Sequence, residues 1–505
     1  APILLGAGPA KVHPDFDPNL GGICAAGFAP TGDWDGNGWV FVTNEGSDGV
    51  TVVDLATRRP VAFLQGQGAT HHPHAGPGRW VFVTQRFGNA VMAIDTQNDL
   101  AVKQIEFPEL KAAGKAAGPL HMAFSPDGKY AFAALNLAED VAVLDAEKGE
   151  LVTLVKVGKR PRDIGVTPDS KKVFVSLQAE KYVAVFDVGT WKVRRIERTA
   201  TDYGMPGAGS GLDVSADGRL VAVNNTKDNE VVFIDAQTEK VVARVKDGIP
   251  PTTVNSVFVG KTPYYAAVSW GGGAVTFIDT RTFKTVKTVQ TGRAPNAAIL
   301  GPDGLIWVTH HGEGYIALLD PAKDFEVVRK IEAAPNSHLV TFSPNGRLAV
   351  VTHPKGQDIS IIDVEKYEVV GRVKVGANPD TPALKTNVPL ETIRAWQAKS
   401  AEAEGQVEKA ASLVVPEPRS DRERTFLAAC MQCHDVGRVK VLDEVVIGGG
   451  ADKEARSKKW EPIVKRMNAH GANMTPEQEK AVLEYIVNRE YEGLTVKTQL
   501  QAEAR

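Results

Sequence analysis

Short apolar segments that end in aspartate recur along the first three quarters of the chain. Examples are VTVVDL, VAVFDV and ISIIDV, and the aspartates that end the eight segments are Asp54, Asp95, Asp145, Asp187, Asp235, Asp279, Asp320 and Asp363. They follow one another at intervals of 41 to 50 residues. Most are preceded by a turn such as SPDG or SADG and another apolar segment, and each is followed by a further strand-like segment. Each unit therefore predicts about four short strands rich in Val and Ile.

A repeat of this length with four strands is typical of a β-propeller. One small sheet cannot bury both of its faces alone, so the sheets pack radially around an axis. Eight aspartate-ended segments predict eight blades over residues 35–378, preceded by an N-terminal extension at 1–34. A seven-bladed ring is the alternative if the first or last unit is irregular.

The pattern changes after Val375. Residues 379–419 begin with a Pro-rich stretch and continue as a predicted helical linker that starts near Pro389, rich in Ala, Glu, Lys and Gln. Residues 420–505 predict an all-α domain with three main helices. The last of these has Thr475 as its N-cap and Glu477 and Gln478 nearby, an approximate capping box.

Composition excludes several classes of protein. The 505 residues carry 58 basic and 61 acidic side chains, a formal charge of −3, which does not favour nucleic-acid binding. The sequence contains no apolar run of the ~18–20 residues that a membrane-spanning helix needs. The chain opens Ala1-Pro2-Ile3, and we interpret it as a mature exported sequence whose signal peptide has been removed, hence periplasmic.

The motif Cys430-Met431-Gln432-Cys433-His434 predicts covalent attachment of heme c, with His434 as an axial iron ligand. A redox-active dithiol is the alternative interpretation. Cys24 has no partner left and is expected to be a buried thiol. Residues 420–495 resemble a small class I c-type cytochrome. The resemblance implies a methionine as the sixth iron ligand, Met467 by its better spacing to Tyr485, or else Met474.

Histidines fall at matching ends of the predicted strands. His71, His121 and His338 lie seven or eight residues before the glycine of a turn, at the start of an innermost strand, whereas His310, His311 and His353 follow a second strand. In an up-and-down blade these two positions share one end of the sheet, so we expect the side chains to converge near the central channel. The same face should receive Arg86, Arg162, Arg293, Trp270 and Lys355. Clustered Arg and His suit an anionic cofactor or substrate.

The repeats resemble the YVTN family of propellers, a fold that fixes no function. The segments WVFVTNEGSDGVTVVDL and GATHHPHAGPGRWVFVT are also similar to the heme d1 propeller of cytochrome cd1 nitrite reductases. That resemblance implies His71 as the proximal ligand of a heme d1-like cofactor and Arg162 as a partner of its carboxylates. The sequence departs from the family at the distal histidines, where Ser210 and Trp270 stand, and its cytochrome domain follows the propeller instead of preceding it.

A second resemblance is to copper propellers, namely nitrous-oxide reductase and thiocyanate dehydrogenase. THHPH and GPLHMAF look like copper-ligand segments of the former. The surplus of imidazoles favours copper, whereas the number of blades and the blade-by-blade likeness favour the tetrapyrrole.

These features predict a periplasmic oxidoreductase. A second redox cofactor on the propeller face, heme d1-like with copper as the alternative, would transform a small anionic substrate and exchange electrons with heme c. The candidate ligands, proton donors or substrate contacts are His72, His121, His310, His311, His338 and His353. A soluble cytochrome or cupredoxin would be the electron partner. The alternatives are a protein that binds or matures heme d1 without substrate turnover, and a docking propeller with a cytochrome as electron carrier.

Overall fold

Eight four-stranded antiparallel sheets form a closed ring, which confirms the predicted eight-bladed propeller. The structure is a computed structural model. It describes residues 12–17, 36–197, 211–225, 228–246, 256–386, 388–414, 418–430, 439, 452–467, 474–492, 494 and 497–498.

Blades 1 to 4 occupy the first half of the ring. From the axis outward, blade 1 contains β1 (Trp39–Asn44), β2 (Gly49–Asp54) and β3 (Arg59–Gln65), and its innermost strand comes from later in the chain; blade 2 contains β4 (Thr70–Ala75), β5 (Trp80–Gln85), β6 (Ala90–Asp95) and β7 (Ala101–Glu106); blade 3 contains β8 (Pro119–Phe124), β9 (Tyr130–Leu135), β10 (Asp140–Asp145) and β11 (Glu150–Lys156); and blade 4 contains β12 (Pro161–Val166), β13 (Lys172–Leu177), β14 (Tyr182–Asp187) and β15 (Val193–Glu197).

Blades 5 to 8 repeat the same order. Blade 5 contains β16 (Leu212–Val214), β17 (Leu220–Asn225), β18 (Glu230–Asp235) and β19 (Lys240–Lys246); blade 6 contains β20 (Val257–Phe258), β21 (Tyr264–Ser269), β22 (Ala274–Asp279) and β23 (Lys284–Gln290); blade 7 contains β24 (Pro295–Leu300), β25 (Ile306–His310), β26 (Tyr315–Asp320) and β27 (Glu326–Glu332); and blade 8 contains β28 (Val340–Phe342), β29 (Leu348–His353), β30 (Asp358–Asp363) and β31 (Glu368–Lys374).

The recurring aspartate ends the third strand of each blade because its carboxylate organises the following turn. Asp145 Oδ1 accepts the N–H of Lys148 at 2.8 Å, and Asp363 Oδ1 accepts that of Lys366 at 3.0 Å. A side chain that accepts from the backbone a few residues later is the local interaction that favours Asp in turns. The repeat in the sequence is thus a repeat of turn chemistry.

The hydrophobic core lies between neighbouring blades. Every residue of β1, β2, β5 and β6 is buried, whereas the outermost β27 buries one of its seven residues. Phe132 of blade 3 and Phe186 of blade 4 pack edge to face with ring centroids 5.9 Å apart. Because both faces of the middle strands are covered, their sequences are continuous apolar runs.

The last strand of the propeller closes the ring. β32 (Pro379–Lys385) pairs antiparallel with β1 and becomes the innermost strand of blade 1. The predicted boundary at residue 378 therefore ends one strand too early, because the closing strand PDTPALK lacks the aspartate-ended pattern by which the repeat was recognised.

Helices follow the propeller, and within it the described residues form a short α-helix, α1 (Pro108–Ala112), and a 3-10 turn at Pro321–Lys323. The linker predicted as one helix forms two, α2 (Leu390–Gln397) and α3 (Ser400–Ala411). The break allows Ile393 to join the core of blades 1 and 2, while Val407 and Ala410 pack against Phe63 of β3. Arg59 Nε also contacts Glu404 Oε1 at 2.7 Å, so α3 lies over the outer edge of blade 1.

The C-terminal region contains α4 (Asp421–Cys430), α5 (Lys453–Met467) and α6 (Pro476–Val487), and short strands β33 (Leu413–Val414) and β34 (Lys497–Thr498) pair antiparallel. Its core is built on Phe426, Trp460 and Tyr485. The rings of Phe426 and Tyr485 lie 4.7 Å apart, which joins α4 to α6. The capping box of α6 is confirmed, with Gln478 as its second member. Within the described part of the chain, no helix is long and apolar enough to span a bilayer.

Part of the N-terminal extension packs on the propeller. Phe16 lies edge to face with Phe342 of blade 8 at 5.7 Å, and the N–H of His13 donates to Pro302 O of blade 7 at 2.7 Å.

Candidate metal centre

The innermost strands are irregular where they begin, and this irregularity positions the candidate site. The pairing shifts between Thr70 and Pro73 in β4, between Pro119 and Met122 in β8, and between Pro161 and Ile164 in β12. β24 and β32 contain equivalent shifts. A bulge turns side chains out of the regular alternation of a strand. It therefore directs the enclosed residues towards the axis and towards the neighbouring blade.

Hydroxyl side chains on the second strands brace these bulges. The N–H of His72 donates to Thr84 Oγ1 at 3.0 Å, and that of Asp163 donates to Ser176 Oγ at 3.0 Å. Thr352 Oγ1 donates to Asp380 O of the next blade at 2.6 Å. Thr43 and Thr309 make similar contacts to His71 O and His338 O. All five hydroxyl residues stand one place before the end of the second strand, so the backbone groups left unpaired by the bulges find partners.

Three imidazoles meet at this end of the axis. His71 and His72 come from blade 2 and His121 comes from blade 3, and we call them the three-histidine cluster. Each of the three has one ligand atom within 4.8 Å of those of the other two. The rings of His71 and His72 stack with centroids 4.0 Å apart, and those of His72 and His121 at 4.5 Å. All three are buried, at 7%, 2% and 1% exposure, which leaves little room for water around them.

Two carboxylates and a guanidinium adjoin the cluster. His71 Nε2 lies 3.3 Å from Glu45 Oε1 and 3.4 Å from Asp380 Oδ2. Asp380 Oδ2 also lies 3.5 Å from His72 Nε2. Arg86 Nη1 lies 3.3 Å from both His71 Nε2 and Glu45 Oε1. Glu45, His71 and Asp380 form a second group of potential ligands, but Arg86 already brings positive charge to it.

His121 also contacts a carboxylate, from the opposite side. Its Nδ1 makes a short contact with Asp163 Oδ1 of blade 4, and both side chains are buried. The two residues are equivalent in their blades, because each lies within the bulge of an innermost strand.

Burial keeps His72 and His121 neutral. It lowers the pKa of His72 well below the ordinary value, and the nearby rings of His71 and His121 lower it further. Burial also lowers the pKa of His121, although Asp163 opposes this shift, and Arg162 and Arg86 add to it. The pKa of His74, on the same strand, falls to about 3 for the same main reason. Neutral rings are in the protonation state that binds a metal.

The contacts between side chains continue beyond Asp380 around this end of the central channel. His338 Nδ1 lies 2.8 Å from Asp380 Oδ1, and the rings of His338 and His311 are 4.7 Å apart. Trp270 of blade 6 lies 4.8 Å from His311. Side chains from blades 6, 7, 8, 1, 2, 3 and 4 thus form a continuous arc. Trp270 belongs to this arc, whereas Ser210 lies outside the described residues.

His310 and His353 lie elsewhere, although they were predicted on the same face. His310 Nε2 lies 3.1 Å from Thr291 Oγ1, and His353 Nε2 lies 2.8 Å from Ser360 Oγ of its own blade. Successive side chains of a strand point to opposite faces, so His310 turns into the blade while His311 joins the arc. The expected convergence therefore holds for His71, His72, His121, His311 and His338 and not for this pair.

Of the basic residues predicted on this face, some lie near the three-histidine cluster and others do not. Arg86 contacts the cluster, and Arg162 lies near enough to His121 to affect its pKa. Arg293 is exposed and contacts Glu313 Oε1 of its own blade at 3.3 Å, and Lys355 is exposed.

For the predicted heme c site the structure describes only parts. The backbone of α4 ends at Cys430 and that of α5 at Met467, whereas Cys433 and His434 lie outside the described residues, as does Cys24. Met474 is 8% exposed and belongs to the core of the C-terminal region, next to the helix that carries Tyr485.

The three-histidine cluster fits a metal ion. His72 Nδ1 is buried and has no hydrogen-bond partner among the described residues. Leaving buried polar atoms unsatisfied is costly, and a cation held by the imidazoles would relieve this cost. Three neutral nitrogen donors with a carboxylate nearby form a donor set suited to a late first-row transition metal.

Sequence reasoning missed Glu45, Asp163 and Asp380. Aspartate and glutamate are frequent in the turns of every blade, so composition does not distinguish these three. A signal was nevertheless present, since the position of His121 in its innermost strand is occupied in the next blade by Asp163. The hydroxyl residue near the end of each second strand was a further signal.

Comparisons with known proteins agree on the architecture. A family profile described as "Lactonase, 7-bladed beta-propeller" matches residues 37–255. The chain is 31% identical over 130 residues to the 6-phosphogluconolactonase of Bacillus subtilis (strain 168), which covers 23% of this chain and 37% of that protein. The chain thus spans little more than a third of this curated relative, and the structure has eight blades, not seven.

Two solved structures are similar over longer stretches. "Dihydro-heme d1 dehydrogenase NirN in complex with DHE" matches 71% of this chain and 77% of its own at 18% identity, with a TM-score of 0.57. "Kuenenia stuttgartiensis Hydrazine Synthase" matches 52% of this chain and 89% of its own at 19% identity, with a TM-score of 0.42. At this identity the first likeness shows a shared propeller fold.

Proposed function

We propose that this protein is an exported oxidoreductase whose propeller holds a redox-active metal ion of the copper class. The observation that carries the proposal is the three-histidine cluster, in which buried imidazoles from two blades have ligand atoms within 4.8 Å of one another. Lowered pKa values keep at least His72 and His121 in the neutral, ligating form. Among divalent ions, copper binds such nitrogen donors most strongly.

His71, His72 and His121 would hold the ion, and Asp380 would lie beside it. When bound, the ion would supply one-electron redox chemistry and polarise a substrate. The side chains would provide the rest of the site. Burial excludes water from the cluster, and the arc through Asp380, His338 and His311 places further polar groups next to it.

A small anion is the substrate class that the surrounding charges favour. Arg86 and Arg162 both lower the pKa of His121, so two guanidinium groups lie close to the cluster. Arginine is well suited to bind planar anions. Glu45 Oε1 lies 3.3 Å from Arg86 Nη1 and partly balances its charge.

The electron partner within the chain would be heme c on Cys430 and Cys433, with His434 and Met467 or Met474 as iron ligands. The motif supports this proposal, together with helices α4, α5 and α6 around an aromatic core. A c-type heme with two protein ligands transfers electrons and leaves substrate chemistry to another centre. A soluble periplasmic cytochrome or cupredoxin would complete the chain of transfer outside the molecule.

A heme d1-like tetrapyrrole on His71 is the second candidate. The shared fold with a propeller solved in complex with DHE favours it. The contacts of His71 favour the ion instead, because Glu45, Asp380 and Arg86 surround its Nε2 at 3.3 to 3.4 Å. A macrocycle on that nitrogen would have to displace all three side chains, whereas an ion would require only the Arg86 guanidinium to move, because carboxylates can remain beside a cation.

Metal analysis and an absorption spectrum of the native full-length protein test the proposal. We expect copper in stoichiometric amount together with heme c bands alone. Red-shifted bands beyond those of heme c would instead establish the tetrapyrrole. Iron at the level of heme c, with no second metal or pigment, would contradict both and leave a docking propeller with a cytochrome.

A matched pair of variants locates the ion. His121→Gln should lower copper affinity by more than the 10–100-fold typical of losing an outer-shell partner. His353→Gln, also a buried histidine but hydrogen-bonded to Ser360 in its own blade, should leave the affinity unchanged. Equal effects of the two substitutions would exclude the three-histidine cluster as the site.

A further inference from the structure

We propose that Asp163 is a positioning residue that fixes the tautomer of His121 and so presents Nε2 of that ring to the cluster. The importance of this role for metal binding rests on the proposed function. The orientation of the ring itself does not, and it can be measured without a metal.

The contact between the two side chains is direct and shielded from water. Asp163 Oδ1 meets His121 Nδ1, and the residues are 3% and 1% exposed. They belong to different blades, β12 and β8, so the contact depends on the packing of one blade against the next. A hydrogen bond between a carboxylate and an imidazole is stronger in such surroundings than in water.

Asp163 is itself held in place. Its N–H donates to Ser176 Oγ at 3.0 Å, and the bulge between Pro161 and Ile164 aims its side chain across to blade 3. Asp163 Oδ2 is buried and has no hydrogen-bond partner among the described residues. Within the described contacts, its carboxylate is thus committed to His121.

The chemistry of the pair then selects one tautomer. An ionised carboxylate only accepts hydrogen bonds, so Nδ1 of His121 must carry the proton. In the neutral ring Nε2 then has a free lone pair. The same arrangement, a carboxylate behind a ligating histidine, orients the ring and raises its basicity as a ligand.

A second buried aspartate provides a control. Asp213 of blade 5 accepts the N–H groups of Phe258 and Val214, each at 2.9 Å, and has no histidine in these contacts. Burial raises its pKa to about 7. Asp213→Asn therefore changes a buried carboxyl group whose pKa the Asp163 carboxylate also raises, but it leaves the contact between Asp163 and His121 in place.

The test begins with the metal-free full-length protein labelled with ¹⁵N-histidine, above neutral pH where the ring is neutral. His121 is assigned by its loss in His121→Gln. We expect its resonance to report a proton on Nδ1 in the wild type and in Asp213→Asn. In Asp163→Ala it should shift towards the Nε2-protonated tautomer that a free imidazole prefers. Asp163→Leu has a similar size and no hydrogen-bonding group, and it serves if the alanine variant does not fold.

Copper(II) titration of the same proteins measures the consequence. Loss of the carboxylate should weaken binding about 10–100-fold, and Asp213→Asn should bind like the wild type. An unchanged His121 tautomer in the Asp163 variants would overturn the positioning role. The expected tautomers without copper binding by any protein would instead refute the proposed function and leave the role of Asp163 intact.

Discussion

The histidines of the propeller lie in two different environments. His71, His72 and His121 stack on one another beside carboxylates, whereas His310 and His353 are single buried rings that contact hydroxyl groups within their blades. The first arrangement has donor atoms to offer a cation. The second is that of structural histidines which remain neutral because the blade core disfavours their charge.

This difference predicts acid sensitivity of the propeller. Burial lowers the pKa of His353 to about 3 and that of His310 to about 4, against an ordinary value of 6.5. Between these values the unfolded chain binds protons that the folded chain does not, so stability is highest above about pH 6.5 and falls as the pH is lowered. The loss is at most about 1.4 kcal/mol per pH unit for each histidine. Denaturant unfolding at a series of pH values measures it.

A single substitution tests whether a buried neutral histidine causes this acid sensitivity. His353→Gln should reduce the slope of the unfolding free energy against pH between pH 6 and 4. The reduction should be at most the contribution of one bound proton, about 1.4 kcal/mol per pH unit. An unaltered slope in His353→Gln would show that this ring is not held neutral.

At the level of elements, the site depends on the bulges of the innermost strands. Thr84 both accepts the N–H of His72 and donates to its carbonyl oxygen, at 3.0 and 3.4 Å. It thereby satisfies the backbone at the point where pairing with β5 is interrupted. Strand geometry alone would turn His71 and His72 to opposite faces.

Removing that hydroxyl should be costly. Thr84→Val conserves the shape of the side chain but leaves buried backbone groups of His72 without a partner, which should lower the unfolding free energy by about 1–3 kcal/mol. Thr84→Ser keeps the hydroxyl and should recover most of the loss. Denaturant unfolding of the two variants measures the difference, and equal destabilisation would contradict the bracing role.

Much of the arrangement of strands and turns could be predicted from the sequence. The aspartate-ended segments repeat because each one organises a turn, and so they predicted the number of blades. The bulges were not predictable, since they arise from how an innermost strand meets its neighbours. The bulges hide the partner of His121, whereas the grouping of His310 and His353 with His311 and His338 is wrong because side chains alternate at the ends of the second strands. Asp163 became visible only when two blades were placed side by side.

At the scale of the whole molecule, the site is completed by ring closure. Asp380 lies on β32, more than 300 residues after His71, yet its Oδ2 lies 3.4 Å from the ring of that residue. The same strand carries Lys385, whose Nζ donates to Gly76 O at 2.6 Å and ties blade 1 to blade 2. The strand that closes the ring therefore also completes the arc of side chains.

Two truncated chains distinguish the role of the closing strand β32 from that of the C-terminal region. A chain ending after Ser412 keeps β32, α2 and α3, and should unfold cooperatively and bind copper like the full chain. A chain ending after Ala377 lacks the innermost strand of blade 1 and should lose both properties. Circular dichroism and copper titration report the two outcomes, and tight binding by the shorter chain would show that Asp380 and closure are dispensable.

The identity of the proposed second cofactor is the feature that the sequence predicts least well. The sequence resembles both heme d1 and copper propellers, and the choice depends on distances between side chains that no linear pattern contains. Stacking of His71, His72 and His121 within reach of a single ion is a property of the folded ring.

Anomalous diffraction at the copper edge from crystals of the copper-loaded full-length protein tests this central claim most directly. We predict a single strong peak in the propeller among the side chains of His71, His72 and His121. A peak elsewhere in the propeller, or none there at full occupancy of heme c, would contradict it.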